Sequence, residues 1–202
     1  MKCPMRSWPA SAVKTAAKSG TSTSPALAPV VSGGVVRILG IDPGLRHTGW
    51  GIVEAKGNQL SFIADGVVEP AAKLSLAERL KILFESMQRI VATYAPDECG
   101  IEESFVNKNP VSTLKLGHAR AAVMLAPATA GIPVFEYKPN LVKKSVVGAG
   151  HADKGQVAAM MRVLLPGSQS ASKDAADALA VAVCHAHHRA TAMRMPVVRT
   201  AS

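Results

Sequence analysis

The apolar and polar positions of this chain fall into runs whose period changes several times along its length. The β-branched run Val35-Val36-Arg37-Ile38-Leu39-Gly40-Ile41 predicts a buried strand, and Asp42-Pro43-Gly44 ends it because proline and glycine impose a turn. Residues 49–55 and 60–68 predict two more strands, joined through Lys56-Gly57-Asn58 as a tight hairpin. Between Leu74 and Tyr94, the residues Leu76, Leu80, Leu83, Met87, Ile90 and Val91 recur at helical spacing, and Pro96 closes the pattern. Cys99-Gly100-Ile101 leads as a strand into Glu102 and Glu103. Residues 112–130 then have helical composition, and 132–137 predict a fifth strand. Helices over about 140–147, 154–165 and 172–188 complete the pattern, with fraying expected after Arg189. The order βββαβαβ followed by helices predicts an α/β domain, a five-stranded mixed sheet with helices on both faces.

The first 34 residues stand outside this pattern. They are rich in Ser, Ala, Thr, Pro and Lys, show no hydrophobic period and end in Ser32-Gly33-Gly34. The expected organisation is a disordered basic extension over 1–34, one folded domain over 35–190 and a flexible tail over 191–202. A basic, acid-free, Ser-rich leader also describes an organellar transit peptide, so a cytoplasmic location has an organellar alternative. Scarce aromatics, 4% of the chain, with abundant Ala, Val and Leu, favour helices packed on a sheet over a β-sandwich. Cys3, Cys99 and Cys184 are scattered, without zinc-site spacing or the density of a disulfide scaffold. No apolar run is long enough for a membrane span; residues 121–130 are short and contain Pro127.

Charge narrows the class of partner. The formal net charge is +9, from 23 Lys and Arg against 14 Asp and Glu, and removing Lys2, Arg6, Lys14 and Lys18 of the extension still leaves +5. Such an excess on the folded part suits a polyanion such as nucleic acid.

Against that basic background, two strand ends repeat one pattern of apolar residue, Gly, Ile and acid: Leu39-Gly40-Ile41-Asp42 and Cys99-Gly100-Ile101-Glu102. Two carboxylates emerging side by side from a buried sheet repel each other unless a cation compensates, although either alone is also compatible with a solvated loop acid. A second pair, Asp174 and Asp177, lies in Ser172-Lys173-Asp174-Ala175-Ala176-Asp177-Ala178-Leu179-Ala180, where i and i+3 share one helix face. The surrounding Ala and Leu mark a helix that buries itself, which makes acids on it conspicuous. Ionised oxygen ligands suit Mg²⁺ or Mn²⁺ better than Zn²⁺. Two such ions, roughly 4 Å apart, are able to activate water and stabilise a leaving oxygen in phosphodiester hydrolysis.

Taken together, Ile38-Leu39-Gly40-Ile41-Asp42-Pro43-Gly44 with Thr48-Gly49-Trp50-Gly51 resembles the opening of the bacterial RuvC resolvases, endonucleases of crossover (Holliday) junctions. Five further segments follow in order: Ile101-Glu102-Glu103-Ser104-Phe105; Leu114-Lys115-Leu116-Gly117-His118-Ala119-Arg120; Val134-Phe135-Glu136-Tyr137; Val142-Lys143-Lys144-Ser145-Val146-Val147-Gly148; and Asp174-Ala175-Ala176-Asp177-Ala178-Leu179-Ala180. The resemblance spans about 37–188. It implies an RNase H-like fold in which Asp42, Glu102, Asp174 and Asp177 are the catalytic, metal-binding acids, with Mg²⁺, replaceable by Mn²⁺, as cofactor at two ions per site. By the same resemblance Lys143 and Lys154 lie near the scissile phosphate and contact DNA, where a cation offsets charge accumulating in the transition state. Phe105 and Lys108 would also contact DNA, Phe105 by stacking against or wedging between bases. Glu103 is left out of the set because the pleat turns it to the opposite side. The helix over 112–130 resembles the family's dimerisation element, so a homodimer with twofold-related sites is implied. Four-way junction DNA, cut in two opposing strands to leave 5′-phosphate ends, is the implied substrate, with a RuvAB branch-migration complex as further partner.

Three other readings stay open at this point. An RNase H-like nuclease acting on another nucleic acid, such as precursor ribosomal RNA, shares the Asp-x-Gly strand end. A sugar-kinase or actin-type fold shares the acid-Gly hairpin but needs two such domains. A non-catalytic junction-binding protein would not need four acids. His185, His187 and His188 sit at the expected end of the last helix before a basic tail, where dipole and phosphate interactions are favoured over metal binding. Met160 and Met161 are expected to fill core, and Cys184 to act as a small buried hydrophobe.

Overall fold

The computed structural model describes residues 34–103, 109–148, 154–168 and 172–194, all within one compact unit, Ser32–Ser202. Almost all of the expected basic extension, and the chain beyond 194, lie outside the described residues. β1 (Val36–Asp42), β2 (Thr48–Lys56) and β3 (Gln59–Val68) form an antiparallel meander, whereas β4 (Glu98–Glu102) pairs parallel with β1, and β5 (Val134–Tyr137) parallel with β4. The sheet order β3-β2-β1-β4-β5 is the mixed, five-stranded sheet expected. Lys56 pairs with Gln59, so the β2–β3 hairpin turns on Gly57-Asn58, and Gly57 takes the positive φ of +60° that costs glycine little.

Parallel strands need a crossover, and α1 (Leu76–Tyr94) supplies the one between β1 and β4. It starts at a capping box in which the Ser75 hydroxyl accepts from the Glu78 N–H and the Glu78 carboxylate accepts from the Ser75 N–H. α2 (Pro110–Thr129) begins where the Asn109 side chain accepts from the N–H groups of Val111 and Ser112. α3 (Pro139–Val147), α4 (Lys154–Leu164) and α5 (Lys173–Arg194) follow. α5 outruns the expected end at 188. Its last residues include Ala190, Ala192 and Met193, all good helix formers, and Arg189 is anchored to β4 by Glu98.

The pleat divides the core in two. Leu39, Ile41, Ile52, Cys99 and Ile101 pack with Leu83, Met87, Ala119 and Val123 on the side of α1 and α2. Ile38, Val53, Ala55 and Tyr137 pack with Val142, Val146, Met161, Leu165 and the middle of α5 on the other. Met161 and Cys184 are buried, and Met160 packs against the same cluster.

Candidate active site

Glycines on the sheet decide how close α5 comes. Gly40 pairs with Gly51 on β2 and with Gly100 on β4, so a row of positions without side chains crosses three strands on one face. α5 lies in that trough. A Cβ built on Gly40 would stand 2.1 Å from the Ala178 carbonyl oxygen, one on Gly49 1.9 Å from that of Asp174, and one on Gly51 2.6 Å from Leu179 Cδ2. Approach of helix backbone to strand backbone this close leaves room for glycine alone. Asp42 lies two residues beyond Gly40 and Glu102 two beyond Gly100, so both carboxylates share the glycine face and meet the first turns of α5. The turn after Asp42 is closed by Thr48, whose fully buried hydroxyl donates to the Gly44 carbonyl at 2.6 Å.

The result is a cleft of about 310 Å³ lined by Asp42, Glu102, Lys143, Lys173 and Asp177, with Pro139, Val142 and Ala180. Burial, followed by the charges of Glu102, Asp177 and Asp174, pushes the Asp42 carboxyl up to about 7, and Lys173 opposes this without prevailing. Glu102 is also pushed up to about 7, by burial and then by Asp177, against the opposing charges of Lys143 and Lys173. All four predicted acids are therefore brought together, with Asp174 acting through its charge on Asp42 rather than as part of the cleft wall. Glu103 follows the end of β4 and is not among the lining residues.

Two carboxyl groups displaced to about 7 by burial and mutual repulsion form the environment that a hard divalent cation neutralises. The donor chemistry fits. Among the described residues no three acidic, His or Cys side chains form a closed ligand cluster. Asp42, Glu102 and Asp177 are the carboxylates of this cleft that could hold such a cation, with the charge of Asp174 beside them.

Of the predicted lysines, Lys143 lines the cleft. Lys154 begins α4, but its side chain lies outside the described residues, as do Phe105 and Lys108 entirely. Sequence reasoning missed Lys173, whose Nζ lies 3.2 Å from Asp177 Oδ2 across one helical turn; the i, i+4 spacing was the available signal. It also missed the function of Gly40, Gly49, Gly51 and Gly100.

The reading of His185 as a helix-end, phosphate-facing residue is corrected. It is 2% exposed, with Nδ1 2.6 Å from the Tyr137 hydroxyl and Nε2 2.7 Å from Glu98 Oε2, while Arg189 Nε donates to Glu98 Oε1 at 2.9 Å. Burial raises the Glu98 carboxyl, but its hydrogen bonds with His185 and Arg189, and their charges, together hold it below the ordinary carboxylate range. α5 continues past these residues, so the dipole argument does not apply to them.

The chain is also similar in sequence and fold to known proteins. Residues 38–185 match the family profile described as crossover junction endodeoxyribonuclease RuvC. The chain is 58% identical over 163 residues to the crossover junction endodeoxyribonuclease RuvC of Rhodopseudomonas palustris (strain BisA53), covering 81% of this chain and 94% of that protein. Among solved structures, T. thermophilus RuvC in complex with Holliday junction substrate superposes with a TM-score of 0.73 at 32% identity, covering 78% of this chain and 96% of that one. The yeast mitochondrial Holliday junction resolvase Ydc2 shares the fold, with a TM-score of 0.60 at 11% identity over 79% of this chain and 82% of that one.

Proposed function

This chain belongs to the RuvC family of crossover junction endodeoxyribonucleases, and we propose that it resolves four-way DNA junctions by hydrolysing one phosphodiester in each of two opposing strands. The observation that carries this reading is the meeting of Asp42, Glu102 and Asp177 in one cleft with Lys143 and Lys173, under the added charge of Asp174. Mg²⁺, or Mn²⁺ in its place and at two ions per site, would supply the Lewis acidity and the activated water. Asp42, Glu102, Asp174 and Asp177 would hold those ions. Loss of the protons that burial retains on Asp42 and Glu102 accompanies their use as ligands. Lys143 is placed to offset charge accumulating on the phosphate, and Lys173 orients Asp177 across the helical turn. Lys154, Phe105 and Lys108 complete the proposed DNA contacts by similarity.

A homodimer fits the same reading. On α2, Val111, Leu114, His118, Ala121, Leu125 and Ala128 are all exposed at alternating spacings of three and four, with Leu114 65% and Val111 58% exposed. That seam suits a second copy of the helix. Two copies would present twofold-related sites to a near-twofold junction. A RuvAB branch-migration complex is the further partner implied. Among the described residues no helix is long and apolar enough to cross a membrane, and a cytoplasmic location fits a DNA substrate.

Cleavage of a synthetic four-way junction in Mg²⁺, with both products mapped, tests the proposal. Paired nicks with 5′-phosphate ends, absent from linear duplex and from structured RNA, are expected; equal cutting of duplex or of RNA would overturn it.

A further inference from the structure

α3 is a wall between two clefts. Pro139, Val142 and Lys143 line the catalytic cleft, and Leu141, Lys144 and Ser145, with the same i, i+3, i+4 spacing, line a second cleft of about 360 Å³. His187 and His188 of α5 form its other side, so α5 contributes to both clefts. The groups around the second cleft are one ammonium, two imidazoles, a hydroxyl and a leucine, with no carboxylate among the described lining residues. The polar groups are held in place. His187 Nδ1 donates to the Ser145 carbonyl at 3.2 Å, the Ser145 hydroxyl lies 3.2 Å from Cys184 Sγ, and the His188 ring stands 5.5 Å from that of Tyr137. Lys144 is exposed in the last turn of α3 and forms no ion pair among the described residues. A concave, acid-free surface bearing these groups suits an anion.

We propose that this cleft is a second backbone-phosphate site for the DNA strand that enters the catalytic cleft, an inference that rests on the nuclease reading above. Charge complementarity selects nucleic acid as the occupant, and the shared wall gives the spacing. From Asp177 to His187 is about 15 Å along α5, a span of a few nucleotide steps. A phosphate held there fixes the direction in which the strand leaves the catalytic carboxylates. Lys144 acts on affinity and register, not on the reacting atoms.

The full-length protein, with Lys144→Ala and Lys144→Glu variants, would be titrated with a four-way junction in Ca²⁺ across a salt series, and cutting would be measured separately at saturating junction. For Lys144→Glu, affinity is expected to fall about tenfold, and for Lys144→Ala the slope of log affinity against log salt should shrink by about 1. At saturating junction, cutting is expected to fall far less than affinity does, because Lys144 does not reach the reacting atoms. Neutral methylphosphonate linkages placed one at a time along the cut strand should weaken wild-type binding at one position, and at that position should cost Lys144→Ala nothing further. Wild-type affinity and salt slope in both variants would overturn the proposal, as would losses that no single neutral linkage masks. A wild-type protein that fails to bind or cut the junction overturns the nuclease reading itself, and this one with it.

Discussion

Glu98 and Glu102 begin and end the same strand, point from the same face of the sheet toward the same helix, and are four residues apart, yet they have opposite environments. Glu98 meets His185 and Arg189 and is held below the ordinary carboxylate range. Glu102 meets Asp42 and Asp177, and its proton is retained up to about 7. At one end of α5 the helix supplies the Arg189 guanidinium and the His185 imidazole as partners for the strand's carboxylate; at the other it supplies more acids. The first arrangement stabilises the fold, and the second leaves a deficit of positive charge that, on the proposed reading, a divalent cation would fill. The proposed cation site is thus an unbalanced version of a structural contact built from the same two elements.

The largest test of that contrast is Glu102→Gln. Cutting should drop well beyond the roughly 100-fold that loss of an outer-shell partner costs a metal enzyme, while junction affinity in Ca²⁺ stays near wild type; cutting assays and gel shifts on one preparation decide this. Asp177→Asn should behave alike. Next in size is Glu98→Ala, which strands the half-buried Arg189 and the buried His185 and should cost about 3 kcal/mol in denaturant unfolding. The folded fraction should still cut, and loss of cutting in fully folded protein would erase the division of labour between the two glutamates. Gly40→Ala perturbs both ends at once by forcing α5 away from the sheet, at about 3 kcal/mol of overpacking and with reduced cutting. Wild-type stability in that variant would remove the trough from the account.

The smallest effect is the dependence of stability on pH in EDTA, where the two ends should carry opposite signs. Glu102 ionises near 7 in the fold against an ordinary 4.5. The folded state therefore binds the extra proton between those values, and stability falls as pH rises through that window. Asp42 adds the same trend from 3.8 to about 7. Glu98, depressed, adds stability that is present above its ordinary 4.5 and is lost as pH falls through its lower folded value. Glu102→Gln should accordingly gain about 1–2 kcal/mol at pH 8 without metal, after discounting for solvent screening, and Mg²⁺ should flatten the wild-type decline. Thermal melts at pH 5, 7 and 8, with and without Mg²⁺, provide the comparison.

Much of the site was legible because its signals are local. The strand ends Gly40-Ile41-Asp42 and Gly100-Ile101-Glu102, and the i, i+3 pair Asp174 and Asp177, are read within a few residues each. His185 was misread because its partners Tyr137 and Glu98 lie 48 and 87 residues away, where no local period reaches. Lys173 was overlooked because a lysine in the first turn of a helix looks the same in sequence whether it faces solvent or an aspartate one turn on. α5 runs six residues beyond the expected 188 because Ala190, Ala192 and Met193 in its last turns favour helix.

By itself, the order of residues determined the strands, the helices and the side of the sheet on which each acid emerges, because pleat and helical period act over two to four residues. Only the tertiary structure decided which acid meets a cation and which meets another acid. That choice depends on how far α5 sinks onto β1 and β2, and glycines 40, 49 and 51, far from α5 along the chain, set that depth.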